Sequence, residues 1–192
     1  HITWHGSFEN YVNDKLSVLA RMSKESSAIL PKELQNHSTT QSYQGKVYFY
    51  TDSQHLAEQF GIDINAIGFR EPFLLDSCIA LAIAKILSNT IDYALINRFK
   101  IGAHRIEEFR DSHNRLWVDD SKGTNIDATI EAVRRYENLH LILGGDDKGA
   151  DLEPLFAFMQ GKIANGAKIS IYAIGSNEAK IAHLSQKYDI EC

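Results

Sequence analysis

The chain has 192 residues, with 20 Lys and Arg against 25 Asp and Glu for a net charge of −5, and 44% of its residues are hydrophobic. That balance supports a buried core and excludes a disordered or fibrous chain, and the mild acidity argues against a nucleic-acid partner, whose binder carries an excess of Lys and Arg on one face. No apolar run reaches the roughly 18 residues that a membrane-spanning helix needs, the longest (residues 78–87) being broken by Lys85, so no membrane partner is expected.

The chain opens His1-Ile2-Thr3-Trp4, with neither Met nor a basic-then-apolar leader. His1 and His5 have the i,i+4 spacing that suits two metal ligands on a helix, but no third ligand accompanies them. Ser7 reads as the cap of a helix over residues 8–22, because its hydroxyl can accept from an unpaired first-turn amide. Phe8, Tyr11, Val12, Leu16 and Leu19 recur at helical spacing and predict one buried face, with Lys15 solvated. Residues 23–42 are polar and show no clear period. Residues 46–51 are rich in β formers and read as a strand, with Tyr43, Tyr48, Phe49 and Tyr50 as sheet packing. Residues 76–88 read as a buried helix opened by Asp76 as its N-cap, and Ala80, Ala82 and Ala84 allow close packing on a sheet. The two cysteines, Cys78 and Cys192, make no disulfide framework, which fits a reducing compartment.

The second half changes pattern. Strands are expected at residues 116–118, 139–143 and 169–174, and helices at residues 126–136 (capped by Asn125), 152–165 and 177–187. Apolar strand, polar loop and helix, three times over, predict an α/β fold with a doubly wound parallel sheet. The boundary falls near residues 100–104, giving a mixed unit (1–102) that lacks its start and a doubly wound domain (103–192) that lacks its end, since residues 189–192 read as a strand cut short.

In open α/β sheets ligands bind beyond the carboxyl ends of the strands. One such end carries Asp119-Asp120-Ser121-Lys122-Gly123-Thr124-Asn125 just before a helix start. It reads either as a phosphate or carboxylate site or as an acidic loop with ordinary capping. A second carries Gly144-Gly145-Asp146-Asp147-Lys148, where glycines let the backbone approach a ligand and Lys148 offers a point charge, or where a tight turn simply carries solvated charges. His104-Arg105 sits at the domain joint, where Arg serves a nucleotide phosphate or an ion pair. Neither G-x-x-x-x-G-K-S/T nor G-x-G-x-x-G occurs, so a dinucleotide dehydrogenase is the weakest reading.

Together, Gly102-Ala103-His104-Arg105-Ile106-Glu107, the Asp119–Asn125 loop and Leu143-Gly144-Gly145-Asp146-Asp147-Lys148 resemble the Mur ligases of peptidoglycan synthesis, which carry G-x-P-H-R-x-E, D-S-K-A/G-T-N and L-G-G-x-x-K in that order and at about this spacing. His1-Ile2-Thr3-Trp4-His5-Gly6 is similar to the family's D-H-x-x-x-H-G stretch from its first His. The likeness is firmest over residues 102–154 and thinner over 23–69. It implies the remainder of a central ATP-binding domain without its P-loop, then a Rossmann-like C-terminal domain without its end. It also implies a cytoplasmic enzyme that uses ATP and Mg²⁺ to join an amino acid to UDP-N-acetylmuramoyl-L-alanine through an acyl phosphate, and a piece that is inactive alone.

Carried over residue by residue, the resemblance puts His1 on the Mg²⁺ side of the site and makes Lys15 the lysine that is carbamylated, a change that gives Mg²⁺ the oxygen ligands it prefers. It places Asp76, His104, Arg105 and Asp120 at ATP, and Lys122 at the transferred phosphoryl. Thr124 and Lys148 fall where the family's D-glutamate-adding branch holds the carboxylates of its amino acid, and Lys148 selects that branch. Two positions depart from the pattern. Asp76 replaces an adenine-contacting Asn, and an ionised Asp accepts but cannot donate. Ala103 replaces a Pro. The alternatives are another Mur-type or folylpolyglutamate-synthase-like ligase, and a noncatalytic nucleotide- or amino-acid-binding protein on the same fold.

Overall fold

A computed structural model of the chain describes residues 2–146 and 149–192, the side chains of Ile2 and Thr3 excepted. The chain divides into two compact units, His1–Phe99 and Lys100–Cys192.

The first unit starts with a short helix α1 (Ile2–His5) and helix α2 (Phe8–Leu16), which passes into a 3₁₀ turn, Ser17–Arg21. Ser7 caps α2 as expected, its hydroxyl accepting from the Asn10 amide at 3.1 Å. The predicted face is buried only towards its end. Leu16 and Leu19 pack with Ala28, whereas Phe8 is 65% exposed.

The stretch without a clear period holds a strand, β1 (Ser27–Pro31), and a short helix, α3 (Ser38–Ser42). β1 pairs in parallel with β2 (Lys46–Tyr50), from Ser27 opposite Lys46 to Pro31 opposite Tyr50. No alternation marks β1, because none of its residues is exposed. Helix α4 (Ser53–Phe60) follows, capped by Asp52 and closed by Gly61 at φ +65°, a left-handed position that glycine takes without strain. Leu56, Ala57 and Phe60 of α4 pack on Cys78, Leu81 and Ala82 of α5 (Phe73–Ser88), where small residues on both helices let the backbones approach. A short helix α6 (Tyr93–Asn97) ends the unit.

The second unit departs from the expectation of three parallel strands. β3 (Glu107–Arg110) and β4 (Leu116–Asp119) form an antiparallel hairpin. The connection 111–115 is too short for a parallel crossover, which needs a dozen residues or more. Asp111 organises it: its carboxylate accepts from the amides of His113 and Arg115, from the Arg115 guanidinium and from the Trp117 indole. After helix α7 (Ile126–Arg134), the strands β5 (Asn138–Gly144) and β6 (Lys168–Ile174) pair in parallel around helix α8 (Glu153–Ala164), and helix α9 (Glu178–Lys187) follows. Leu139, Leu141, Leu143, Ile169, Ile171 and Ala173 share one cluster with Val133, Phe156, Met159, Ile181 and Leu184 of the three helices. Ile142, Tyr172 and Ile174, at the alternate positions, are about half exposed, so a second helical layer is not seen among the described residues. Beyond α9 the chain returns to the sheet at a single parallel bridge, Glu191 beside Ser170, which fits the expected start of a strand.

At the carboxyl end of this sheet the two strand ends close on each other. The Gly145 amide donates to the Ile174 carbonyl at 3.3 Å, and the Ser176 hydroxyl donates to the Gly145 carbonyl at 2.7 Å. A Cβ on Gly144 would fall on the Ile174 carbonyl oxygen, which is backbone and cannot step aside. Gly144→Ala is therefore expected to cost about 3 kcal/mol in denaturant unfolding, and a cost under about 1 kcal/mol would contradict this packing.

The hairpin yields a pH prediction. Asp111 is lowered to about 2, first by the Trp117 indole and then by Arg115. A folded value below the unfolded one stabilises above about pH 4, and that contribution is lost as the pH falls through about 2. In a Trp4→Phe chain, where Trp117 is the remaining tryptophan, its emission should shift with a midpoint near pH 2. A midpoint at or above about 4 would contradict the assignment.

Candidate functional site

β4 ends at Asp119, and the chain then turns sharply before α7. The Gly123 amide donates to the Asp120 carbonyl at 2.7 Å, and the Thr124 amide to the Lys122 carbonyl at 2.9 Å. A side chain at Gly123 would meet the Asp120 carboxylate, so glycine there leaves that carboxylate in its place. Asn125 caps α7, accepting from the Ala128 amide at 2.8 Å. Ordinary capping thus accounts for Asn125 and leaves Asp119, Asp120, Lys122 and Thr124 to be explained.

Two of these are explained by the preceding loop. The His104 ring places Nδ1 2.7 Å from Oδ2 of Asp119, and the other oxygen of Asp119 accepts from the Ser121 amide at 2.9 Å. The His104 amide donates to Glu107 at 2.9 Å, and the Lys122 amide donates back to the His104 carbonyl at 3.2 Å. The Ile106 amide donates to Oδ1 of Asp120 at 3.0 Å. The two motif stretches that are separate in sequence are therefore one bonded structure.

The neighbouring carboxylates are driven in opposite directions. Asp119 is lowered to about 2, first by the His104 ring and then by Ser121, so it stays ionised. Asp120 is raised, chiefly by burial and further by the Asp119 charge, while the Ile106 amide and Arg105 offset part of that rise. Arg105, Lys122 and Thr124 are exposed around this pair. Exposed cations beside a bonded, strained loop can bind an anion at low reorganisation cost. His104, Glu107 and Asp119 are also the residues, among those described, whose donor atoms lie within 4.8 Å of one another. Hydrogen bonds within the group account for their closeness without a metal.

The remaining expected residues are placed as follows. Asp76 is exposed in the first turn of α5 and is not its N-cap. That position belongs to Pro72, and the Leu75 amide is met by the Glu71 carboxylate at 3.3 Å, which also accepts from Ser53. A carboxylate already supplied by Glu71 makes a capping Asp76 unnecessary, although Asp76 still opposes the positive end of the helix. With Glu33, Asp76 adds to the burial that raises the Tyr50 phenol. Lys15 is exposed on α2, its ammonium 5.6 Å from the centre of the Tyr11 ring. His5 places Nδ1 2.6 Å from the Asp14 carboxylate. His1 and Lys148 lie outside the described residues.

Asp119 and Glu107 were not among the expected site residues. The signal for Asp119 was the acidic doublet at a strand end, and for Glu107 the return of a carboxylate three residues after His104.

No protein-family model matches the chain. All of it is 46% identical, over 193 residues, to the UDP-N-acetylmuramoylalanine–D-glutamate ligase of Campylobacter jejuni (strain RM1221), of which the alignment covers 46%. It is also 46% identical over 204 residues to the ligase of that name from Helicobacter pylori (strain ATCC 700392 / 26695), covering 47% of it. The same-named ligase of Natranaerobius thermophilus is 24% identical over 97% of the chain. The chain spans about half the length of the curated relatives it matches. The likeness runs the length of the chain, through the bonded loops described above, so the chain is similar throughout to about half of a UDP-N-acetylmuramoylalanine–D-glutamate ligase.

Proposed function

We propose that the full-length protein joins D-glutamate to UDP-N-acetylmuramoyl-L-alanine at the expense of ATP, in peptidoglycan synthesis and in the cytoplasm, and that the present chain alone does not complete the reaction. The observation that carries this reading is the bonding of the His104 and Lys122 loops, which leaves Arg105 and Lys122 exposed, in a chain 46% identical throughout to ligases of that name.

The reaction moves the γ-phosphoryl of ATP to the substrate carboxylate. The D-glutamate amine then attacks the acyl phosphate carbon, the C–O bond to phosphate breaks, and an amide forms. Negative charge accumulates on phosphoryl oxygens, so catalysis rests on fixed cations and positioning. Lys122 opposes that charge at the transferred group. Arg105, Asp120 and His104 hold ATP, with Arg105 on its phosphates. Thr124 and Lys148 receive the D-glutamate carboxylates, and Asp76 accepts from the exocyclic amine of adenine.

Mg²⁺ supplies charge neutralisation on the nucleotide phosphates in reactions of this class. Lys15 as it stands does not fit that ion, since an exposed ammonium repels a cation. It fits only once carbamylated, when it presents oxygens, with His1 as a companion.

Phosphate release by the full-length protein tests the reading, with ATP, Mg²⁺ and UDP-N-acetylmuramoyl-L-alanine present. Release with D-glutamate, and not with L-lysine, diaminopimelate or L-glutamate, is expected. Release with another amino acid would move the protein to a sibling ligase, and no release at all would leave a binding protein. Lys122→Ala should lower kcat by about 100-fold or more, as loss of one preorganised donor does elsewhere. Lys148→Ala should raise KM for D-glutamate far more than KM for ATP, and equal effects would contradict a carboxylate-binding role.

A further inference from the structure

Among the described residues, the chain pays for an unusual backbone in the loop that carries Arg105. His104 has φ +64° and Ile106 has φ +47°, so two residues with side chains, one of them β-branched, take left-handed conformations within three positions. Such conformations are costly for residues with side chains and persist where neighbouring groups over-determine them. Here the determining groups are identifiable. Glu107 takes the His104 amide, Asp119 takes the His104 ring, Asp120 takes the Ile106 amide, and the His104 carbonyl receives the Lys122 amide.

Asp119 acts on both loops through its side chain alone. One of its oxygens holds the His104 ring, and the other holds the Ser121 amide, one residue before Lys122. Arg105 lies between the two strained residues, and Lys122 is tied by its own amide to His104. We propose that Asp119 is a positioning residue: with Glu107 it clasps His104, and through that clasp it fixes Arg105 and Lys122 relative to each other. The inference rests on the ligase reading for what those two cations do, but the clasp is a property of the loops themselves. Asp119 touches no reacting atom in this scheme. It acts by removing freedom from two cations that must meet one phosphoryl group, and a displacement of about 1 Å at such groups is enough to cost 100-fold in rate.

The test uses the full-length protein, with Asp119→Ala, Asp119→Asn, His104→Ala and the Asp119→Ala/His104→Ala double variant. Asp119→Ala should lower kcat by about 30- to 100-fold while KM for D-glutamate stays within about 3-fold. Asp119→Asn, which keeps an acceptor for Ser121 and can still pair with the ring, should stay within about 5-fold of the parent. The double variant should be no worse than the worse single one, because both remove the same clasp. Amide hydrogen exchange reads the clasp without turnover: the Lys122 and Ile106 amides should exchange about 10-fold faster or more in Asp119→Ala. If Asp119→Ala does not fold, His104→Ala opens the clasp from the other side and is read by amide exchange alone, since His104 also meets ATP in the ligase reading. An active parent with kcat within about 3-fold in both single variants, or losses that multiply in the double variant, overturns the inference and leaves the ligase reading intact. A parent that releases no phosphate overturns the ligase reading, and unchanged exchange at Lys122 then overturns the clasp as well.

Discussion

The contact on which the site depends is the 2.7 Å pairing of the His104 ring with the Asp119 carboxylate. It joins a loop that precedes the β3–β4 hairpin to the loop that leaves it, so the hairpin becomes the frame of the site. The frame is itself fixed at its far end by Asp111, whose carboxylate gathers two amides, a guanidinium and an indole. Carboxylates that accept several charged or polar donors hold their position and their charge together. Asp111 and Asp119 do this at the two ends of one short ribbon, which would be only marginally stable without such anchors.

The parallel pair β5–β6 uses a different device at its carboxyl end. There the closeness comes from missing side chains: Gly144 and Gly145 of one strand end lie against Ile174 and Gly175 of the other. The backbone is brought together by absence of Cβ in one place and by carboxylate bonds in the other. The described residues that follow, Lys122 after one and Asp146 after the other, lie outside the core.

What the sequence revealed follows from how local each signal is. Caps and periodic segments were legible: Ser7, Asn125 and the helices α7 and α9 lie where pattern placed them, because a cap or an amphipathic stripe is decided within one or two turns. Strand β1 was not legible, since none of its side chains is exposed and it therefore shows no alternation. Helix α4 carries the same local signals, Asp52 and Gly61 at its ends and Leu56, Ala57 and Phe60 on one buried face, and is absent from the expected elements. The pairing of β4 was misread. Its apolar run looks like that of a parallel strand, and the deciding fact is the short Asp111-centred connection to a partner, β3, that is wholly exposed. Asp76 was placed at a cap because Asp commonly caps, and the non-local carboxylate of Glu71 removed that need. At the site, the loops were legible as motifs, whereas their bonding to one another was not. A bond between residues 104 and 119 depends on where the hairpin returns the chain.

The central chemical claim is that a carboxylate oxygen of UDP-N-acetylmuramoyl-L-alanine becomes the bridging oxygen of an acyl phosphate. The most direct measurement gives the full-length protein this substrate with ¹⁸O in its terminal carboxylate, together with ATP, Mg²⁺ and D-glutamate, and weighs the phosphate released. The account predicts that one ¹⁸O passes to each phosphate as the amide forms. Amide formation with unlabelled phosphate, or phosphate released without any amide, would contradict it.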